Sequence, residues 1–214
     1  TGISASTGFG LWSIVTGDGN GAFVDPTSPT TLFTGSEEFT YTLRWTISNG
    51  VCVASTSDVA IEFDADPTVS DAGLDQQVCG STGLPVSLSA NAPVFTGETG
   101  AWSFVVNPDG LPLTAFSNTT SPTSDFTGTA GESYTLRWTL TNGVCAVSSD
   151  EVEITIDADP TVANAGADQT GVSAVCGTST ALTGNSATTG NGLWSIVTGD
   201  GNGAFVDPTS PTTL

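Results

Sequence analysis

Hydrophobic and polar residues alternate along short stretches of this chain, and turn sequences separate the stretches. At residues 134–140, apolar Tyr, Leu, Trp and Leu alternate with Thr and Arg, which is the period-two pattern of a strand with one buried face. The Asn-Gly pair at 142–143 then indicates a hairpin. Residues 152–156 resume the alternation with Val, Ile and Ile, so the pattern predicts two neighbouring antiparallel strands.

The rest of this region reads in the same way, and no stretch has helical periodicity of useful length. Because the inward parity of Cys145 and Val147 does not continue to Val152, we predict a β-bulge near residues 148–150. About seven short antiparallel strands in roughly 90 residues are typical of an immunoglobulin-like (Ig-like) β sandwich, so the predicted fold is all-β. The earlier strands are expected near residues 84–90, 100–106, 113–117 and 123–127.

The chain repeats itself. Residues 11–32 recur unchanged as residues 193–214, an offset of 182, and a diverged copy lies between them. Within that unit, Tyr-Thr-Leu-Arg-Trp at 41–45 matches 134–138, an offset of 93. The sequence therefore predicts a tandem array of two alternating domain types, an organisation suited to reach or to many weak contacts.

Asp-Ala-Asp-Pro, at 64–67 and 157–160, places the domain boundaries, since Pro ends the preceding strand. Residues 1–66 are repeat A1, a type A domain without its first strands, and 67–159 are repeat B, a complete type B domain. Residues 160–214 are repeat A2, a type A domain without its last strands. We expect a window on a longer array; strand exchange between chains, with 160–182 of one completing 1–66 of another, is the alternative.

Charge excludes several partners. The chain has 22 acidic and 2 basic residues, no His, and a net charge of −20. Nucleic-acid binding needs clustered Lys and Arg, and an anionic membrane surface would repel the chain, so neither partner is expected. No apolar run approaches the roughly 20 residues that span a bilayer, so we expect no membrane insertion.

Four cysteines occupy two repeat positions. An Ig-like topology starts the first strand at the pole that carries the turn between the last two strands, which predicts an intradomain disulfide between Cys79 and Cys145. Cys52 and Cys176 would then pair outside this window. Pairing Cys52 with Cys79 would join the same pole of two successive domains. These poles are roughly 30 Å apart, which is far beyond the reach of a disulfide. Disulfides imply an oxidising, extracellular setting.

Clustered aspartates at the two predicted linkers are candidate calcium ligands, because hard cations take several oxygen ligands. A solvated acidic linker that aids solubility is the alternative. The loop of Asp18 and Asp25 is a weaker calcium candidate, with a glycine-rich turn as its alternative. The linker candidates are Asp64, Asp66, Asp71 and Asp75 at the first linker, and Asp157, Asp159 and Asp168 at the second.

The aromatic residues indicate a core rather than a ligand platform. All five Trp fall at two repeat positions and both Tyr at one. The only cations, Arg44 and Arg137, lie on the polar face of a strand, and we expect ion pairs with carboxylates such as Glu151 or Glu153. With no His, Lys or free Cys expected and no cleft of paired carboxylates, we expect no enzymatic activity.

The segments YTLRWTISNGVC and YTLRWTLTNGVC, with the strands that follow them, resemble the last two strands of PKD-type Ig-like domains. Together with AGLDQQVCG, DPTSPTT and DADPTV, they resemble the tandem repeats of giant Bacteroidota surface proteins such as the SprB-type gliding-motility adhesins. The resemblance implies export by type IX secretion, attachment at the outer membrane and adhesion to a surface. WSIVTGDGNG departs from the usual PKD segment, so no ligand role is carried over, and no catalytic residue is either.

These observations predict a structural stalk, a disulfide-stapled filament on the cell surface whose nearest partners are neighbouring repeats of the same chain. A repeated module that binds extracellular polysaccharide or a solid surface is the alternative, and a spacer in a secreted hydrolase is a third. Fold alone does not decide among them.

Overall fold

The structure is a computed structural model that describes residues 8–80, 83–199 and 201–214. In these residues, regular structure consists of thirteen short β-strands and two three-residue 3-10 helices, Leu113–Ala115 and Gly171–Ser173. The strands are β1 (Phe9–Thr16), β2 (Ala22–Phe23), β3 (Phe33–Thr34), β4 (Phe39–Ser48), β5 (Ser55–Phe63), β6 (Gln76–Cys79), β7 (Pro85–Ser87), β8 (Thr99–Val106), β9 (Asp125–Thr127), β10 (Ser133–Thr141), β11 (Ser148–Asp157), β12 (Leu182–Thr183) and β13 (Thr212–Thr213).

Repeat B is an Ig-like β sandwich, which confirms the predicted fold class. One sheet has the strand order β6-β11-β10-β8, in which β6 runs parallel to β11 and the other pairs are antiparallel. The second sheet is β7-β9, extended by a bridge between Phe116 and Phe126. Apolar side chains of both sheets meet in a single core, because alternate residues of each strand face inward.

Two local expectations in repeat B need correction. The β10–β11 register is continuous from Ser133 to Leu140, so the bulge predicted near residues 148–150 is wrong. Its premise fails because β11 begins at Ser148, which leaves Cys145 and Val147 in the turn, where strand parity does not apply. The expected strand at 113–117 is instead the 3-10 helix, followed by the isolated bridge at Phe116.

Repeat A1 contains the sheet β1-β4-β5 and the short pair β2-β3. Tyr41, Leu43 and Trp45 of β4 are buried against neighbouring strands, as the matching residues of β10 are in repeat B. Repeat A2 contains the antiparallel pair β12-β13. The domain boundaries themselves stay predictions; β5 ends at Phe63 and β11 at Asp157, a few residues before them.

Both tyrosines and three of the five tryptophans are buried, as predicted, while Trp12 and Trp194 are half-buried. Trp102 and Trp138 are 2% and 0% exposed, with ring centroids 5.1 Å apart. Trp12 and Trp45 repeat this contact at 5.0 Å in repeat A1. No helix in the described part of the chain is long and apolar enough to cross a membrane.

Candidate functional site at the repeat junction

The contact between repeats A1 and B is the candidate functional site, because a tandem array depends on how one repeat is held against the next. It forms where the turn between β10 and β11, residues 142–147, meets the chain leaving β5. The Asn-Gly sequence that indicated a hairpin thus supplies the contacts of repeat B to its predecessor.

Asn142 is the centre of this junction. Its side chain is 4% exposed, and Nδ2 donates hydrogen bonds to Glu38 Oε1 at 2.9 Å and to the Ala65 carbonyl at 3.1 Å. The backbone N–H of Ala65 donates to the same Glu38 oxygen at 3.0 Å. Asn142 and Ala65 are buried, whereas Glu38 is exposed. Losing Asn142 would therefore leave the buried Ala65 carbonyl without its donor.

Glu38 adopts a backbone conformation that disfavours side chains, with φ of 61°. The equivalent residue of repeat B is Gly131, at φ 91°, and both N–H groups donate to the carbonyl at the end of the last strand, at 2.6 Å. A non-glycine residue in this region costs about 1–3 kcal/mol, and the conformation persists only where the surroundings hold it there. The bond from Asn142 across the junction supplies such a constraint, and only the pairwise alignment of Glu38 with Gly131 signals it in sequence.

Asp64 holds the tip of the turn. Its Oδ2 accepts the Val144 N–H at 2.9 Å, and its carbonyl lies 3.6 Å from the Cys145 sulfur, at hydrogen-bond distance. Gly143, at φ 52°, approaches the Asp64 carboxylate so closely that a Cβ atom there would collide with it. Gly50, at the matching position of repeat A1, has φ 56° and open space around it, so the close approach belongs to the junction.

Beyond Asp64 the chain is fastened along β11. Ser70 N–H donates to Ser148 Oγ and Ser70 Oγ to the Ser148 carbonyl, both at 2.8 Å. Farther along, Asp75 Oδ1 accepts the Glu153 N–H at 2.8 Å, just before β6 joins β11. The segment therefore has little freedom to bend as it enters repeat B.

Glu98 clamps the same segment from the other side. Its carboxylate accepts the Thr68 N–H at 2.7 Å, the Thr68 hydroxyl at 2.9 Å, and the N–H groups of Val94 and Phe95 at 2.7 and 3.1 Å. Burial acts to raise the pKa of Glu98, but the donors from Phe95, Val94 and Thr68 together lower it below its usual value. The carboxylate thus stays ionised and fixes the linker.

The second linker follows a related path. Asn91 Nδ2 donates to the Val69 carbonyl at 2.9 Å, and Asn185 Nδ2 donates to the Val162 carbonyl at 3.0 Å. The side-chain oxygens of the two asparagines accept the N–H of the residue two positions after each of these valines, at 2.9 and 2.7 Å. Both linkers are therefore held by the same pair of hydrogen bonds to an asparagine side chain.

The seven candidate calcium ligands are not brought together. In the part of the chain that the structure describes, no three His, Cys, Asp or Glu side chains form a group that could hold a metal ion. Four of the carboxylates accept hydrogen bonds of the chain itself: Asp64 from Val144, Asp71 from Gly73, Asp75 from Glu153 and Asp157 from Gln77. Asp159 Oδ1 lies 3.7 Å from the Cys79 sulfur, while Asp66 and Asp168 are exposed.

The structure does not bring Cys79 and Cys145 together, and all four cysteines are free thiols. Cys79 opposes Asp157 at the end of β11, whereas Cys145 precedes the start of the same strand. The chain enters repeat B near the turn, where Ser70 bonds Ser148, but β6 begins only at Gln76 opposite Ile154, and Cys79 lies at its far end. At about 3.3 Å per residue, the length of β11 separates the two thiols by roughly 30 Å, beyond disulfide reach.

A hydrogen bond between a tyrosine hydroxyl and an aspartate recurs in repeats A1 and B, and the sequence pattern does not indicate it. Tyr134 OH donates to Asp109 Oδ2 at 2.8 Å and accepts the Thr129 N–H at 2.9 Å. In repeat A1, Tyr41 OH bonds Asp18 and accepts the Ser36 N–H at 2.8 Å. The Asp18 carboxylate therefore accepts hydrogen bonds both from its own turn and from the tyrosine. These bonds account for the aspartate in the glycine-rich loop without a metal.

The two arginines form the expected ion pairs. Arg137 donates to Glu151 Oε1 through Nη2 at 2.5 Å and through Nε at 3.0 Å, as predicted. Arg44 pairs with Asp58 at 2.7 Å. All four side chains are about two-fifths exposed, so each pair contributes little, about 0–1 kcal/mol.

Several solved structures resemble the chain in fold. The tandem Ig repeats of Dlar match with a TM-score of 0.33 and 9% identity, covering 70% of this chain and 82% of theirs. Human CDH23 EC21-23 matches with a TM-score of 0.43 and 13% identity, covering 99% and 85%. Drosophila N-cadherin EC1-4 matches with a TM-score of 0.34 and 16% identity. This match covers 100% of the present chain and 60% of the N-cadherin chain.

No protein-family model matches the sequence, and neither does any curated protein. The likeness to the solved structures concerns the fold alone.

Proposed function

We propose that this chain is a segment of a stalk, in which tandem Ig-like repeats hold an adhesive region away from a cell surface. The observation that carries the proposal is the path of the chain through repeat B. It enters beside the turn at the start of β11 and leaves after Asp157 at the end of the same strand. Each repeat therefore advances the array by about one strand length, roughly 30 Å, instead of folding it back.

The second support is the junction itself. Buried Asn142 bonds buried Ala65 and exposed Glu38 across the junction, and the linker beyond this contact is bonded to β11 and to Glu98. Flexible strings of domains join through exposed, mobile linkers. A linker with most of its polar groups bonded to the next repeat favours a stiff array.

The setting is part of the proposal. The tandem repetition and the resemblance to giant gliding-motility adhesins support an extracellular protein attached at the outer membrane and exported by type IX secretion. Neighbouring repeats are its immediate partners. The net charge of −20 keeps such an array soluble and discourages lateral association between filaments.

Calcium at the junctions belongs to the same proposal as a secondary element. Burial raises the pKa of the Cys145 thiol, and the carboxylates of Asp66, Asp64, Glu37 and Glu38 raise it further, so negative charge surrounds this side of the junction. A divalent cation recruited there would reduce the repulsion among these carboxylates. Stiffness that disappears with a chelator would identify the metal as a structural component.

The alternative is a repeated module that binds polysaccharide or a solid surface. We do not favour it, because every Trp and Tyr in the chain is buried or half-buried. Such modules usually present exposed aromatic rings to the sugar.

Small-angle X-ray scattering tests the proposal on this chain and on longer arrays of the 182-residue unit, with calcium and with a chelator. We expect the maximum dimension to grow nearly in proportion to the number of repeats. Asn142→Ala should shorten and broaden the distance distribution, because it removes the donor of the Ala65 carbonyl and one of the two donors to Glu38. Asn49→Ala, in the same turn sequence of repeat A1, is the matched control and should not.

If the maximum dimension does not grow with the number of repeats, both with calcium and with the chelator, the chain is not a stalk. A glycan array with the 182-residue unit is the complementary measurement. Binding there would transfer the proposal to the polysaccharide module.

A further inference from the structure

The cysteines lie at the two ends of repeat B. Cys145 is in the turn that touches the preceding repeat, and Cys79 is the last residue of β6, beside the chain that leaves for the following repeat. Neither has a thiol partner within its own repeat. What surrounds each of them shows where a partner would come from.

Cys145 packs against the end of the preceding repeat. Its sulfur lies 3.6 Å from the carbonyl oxygen of Asp64. Burial raises the pKa of its thiol, and the carboxylates of Asp66 and Asp64 raise it further. The surroundings of this thiol are therefore the Asp-Ala-Asp segment that ends repeat A1.

Cys79 has the equivalent surroundings at the other end. Its Cα is paired in register with that of Asp157, and the next N–H, of Gly80, donates to the Asp157 carbonyl at 3.2 Å. The Cys79 sulfur lies 3.7 Å from Asp159 Oδ1. Burial raises the pKa of this thiol as well, and the carboxylates of Asp159 and Asp157 raise it further. Asp157 and Asp159 are the counterparts of Asp64 and Asp66.

The two environments are two halves of one site. A repeat that follows repeat B, seated as repeat B is seated on A1, brings its turn cysteine to the Asp157 carbonyl. That carbonyl already accepts the N–H of the residue next to Cys79. Val162 is held to Asn185 of its own repeat as Val69 is held to Asn91, so the chain enters repeats B and A2 in the same local arrangement.

We propose that disulfide bonds link successive repeats, each joining the first-strand cysteine of one repeat to the turn cysteine of the next. Cys79 pairs with Cys52 of the following 182-residue unit, and Cys176 pairs with Cys145 of that unit. The inference rests on the tandem array of the proposed function. It replaces the pairing of Cys79 with Cys145 inside one repeat, and it explains why four thiols in this chain have no partner.

The chemistry is ordinary thiol–disulfide exchange. One cysteine thiolate attacks a small-molecule disulfide, forms a mixed disulfide and releases one thiolate, which takes up a proton. The second cysteine thiolate attacks the mixed disulfide, forms the bridge and releases the second thiol. Two cysteine thiols are thus oxidised, and one small-molecule disulfide is reduced to two thiols.

The first test uses the chain of 214 residues in a buffer of oxidised and reduced glutathione. Thiols are blocked with an alkylating agent in denaturant and counted by mass spectrometry of the monomer. We expect four free thiols per chain, because each partner would lie outside it. A linked peptide that contains Cys79 and Cys145 would overturn the proposal.

The second test lengthens the chain in register. Because residues 193–214 repeat 11–32, residues 33–159 can follow Leu214 directly. Non-reducing peptide mapping should then find two links, from Cys79 to the added copy of Cys52 and from Cys176 to the added copy of Cys145. Cys79→Ser should abolish the first link and keep the second, which serves as the internal control for folding.

The added copies of Cys52 and Cys145 staying reduced, or pairing inside their own repeats, would also overturn the proposal, whereas the added copy of Cys79 has no partner in this chain and should stay reduced. Scattering separates this failure from failure of the stalk. A lengthened chain that is stiff but unbridged would retain the proposed function and reject the disulfides. A lengthened chain that is bridged but compact would retain the disulfides and reject the stalk.

Discussion

At the residue scale, the junction depends on glycine as much as on charge. Gly143 and Gly50 share the same turn sequence and nearly the same φ, but only Gly143 faces the Asp64 carboxylate. The two positions therefore separate the conformational requirement of the turn from the steric requirement of the junction.

We expect Gly143→Ala to displace the turn from Asp64 and to loosen the contact between repeats A1 and B. Gly50→Ala should cost only the strain of a left-handed residue, about 1 kcal/mol, with the junction intact. Amide hydrogen exchange at Val144 reports the difference, since its N–H bonds Asp64. Equal loss of protection in both variants would show that the backbone conformation, not the close approach, governs the contact.

Acid sensitivity is also a residue-scale property. The hydroxyl of Thr129 holds the pKa of Asp109 below its usual value, burial opposes this, and the hydroxyl of Tyr134 adds to the lowering. A depressed carboxyl pKa in the folded state contributes stability above the unfolded value near pH 4. That contribution is lost as pH falls through the folded pKa.

We therefore expect Asp109→Asn to be less stable than the wild type at about pH 6 and to approach it at about pH 2.5. Urea midpoints at the two pH values measure the effect. Asn retains an acceptor for both hydroxyls, which donate to the same oxygen, so the part of the difference that disappears at low pH reports the charge. An unchanged difference across the range would mean that the carboxylate contributes through geometry alone.

At the element scale, the identical segments 11–32 and 193–214 show what a strand requires. Residues 11–16 lie in β1, paired with β4, whereas 193–198 form no regular strand. No segment equivalent to β4 follows 193–214 in this sequence, so the second copy lacks the backbone partner that would complete its hydrogen bonds.

Adding residues 33–66 after Leu214 should therefore convert 193–198 into a strand. Amide exchange protection and NMR secondary shifts at Trp194 and Ile196 would report it. The turn around Asp207 is the internal control, because its bonds to Thr209 already match those of Asp25 to Thr27 and should not change. If 193–198 stayed irregular, the missing partner would not explain the difference.

At the scale of the whole molecule, disulfides between successive repeats would limit how far the array can be stretched. From Cys52 to Cys79 is 27 residues, and from Cys145 to Cys176 is 31. The bridges would create two parallel covalent paths of these lengths through each 182-residue unit. The shorter path is β5, the linker and β6, which are already largely extended.

Pulling on a single oxidised array should therefore extend each unit to no more than about 90 Å, against roughly 600 Å once the bridges are reduced. Single-molecule force spectroscopy, with and without reductant, measures the change in contour length. Arrays that lengthen equally in both conditions would show that the covalent path does not bypass the folded repeats.

The sequence by itself determined the features that depend on nearby residues. Alternation in β10 and β11 identified the strands, and the repeat register of Trp102 and Trp138 identified the core. The turn at Asp25 recurs at Asp207 with the same bonds, because residues two positions apart supply them. Such structure forms from local chemistry whether or not the rest of the sandwich is present.

Tertiary structure decided what depends on distant residues. The parallel pairing of β6 with β11 carried Cys79 to the pole opposite Cys145, which strand alternation does not reveal. Asn142 meets Glu38 across 104 positions of the chain, and the second copy of β1 remains irregular without its partner. Burial and hydrogen bonding between remote segments set these relations, so identical sequences can differ in structure when their neighbours differ.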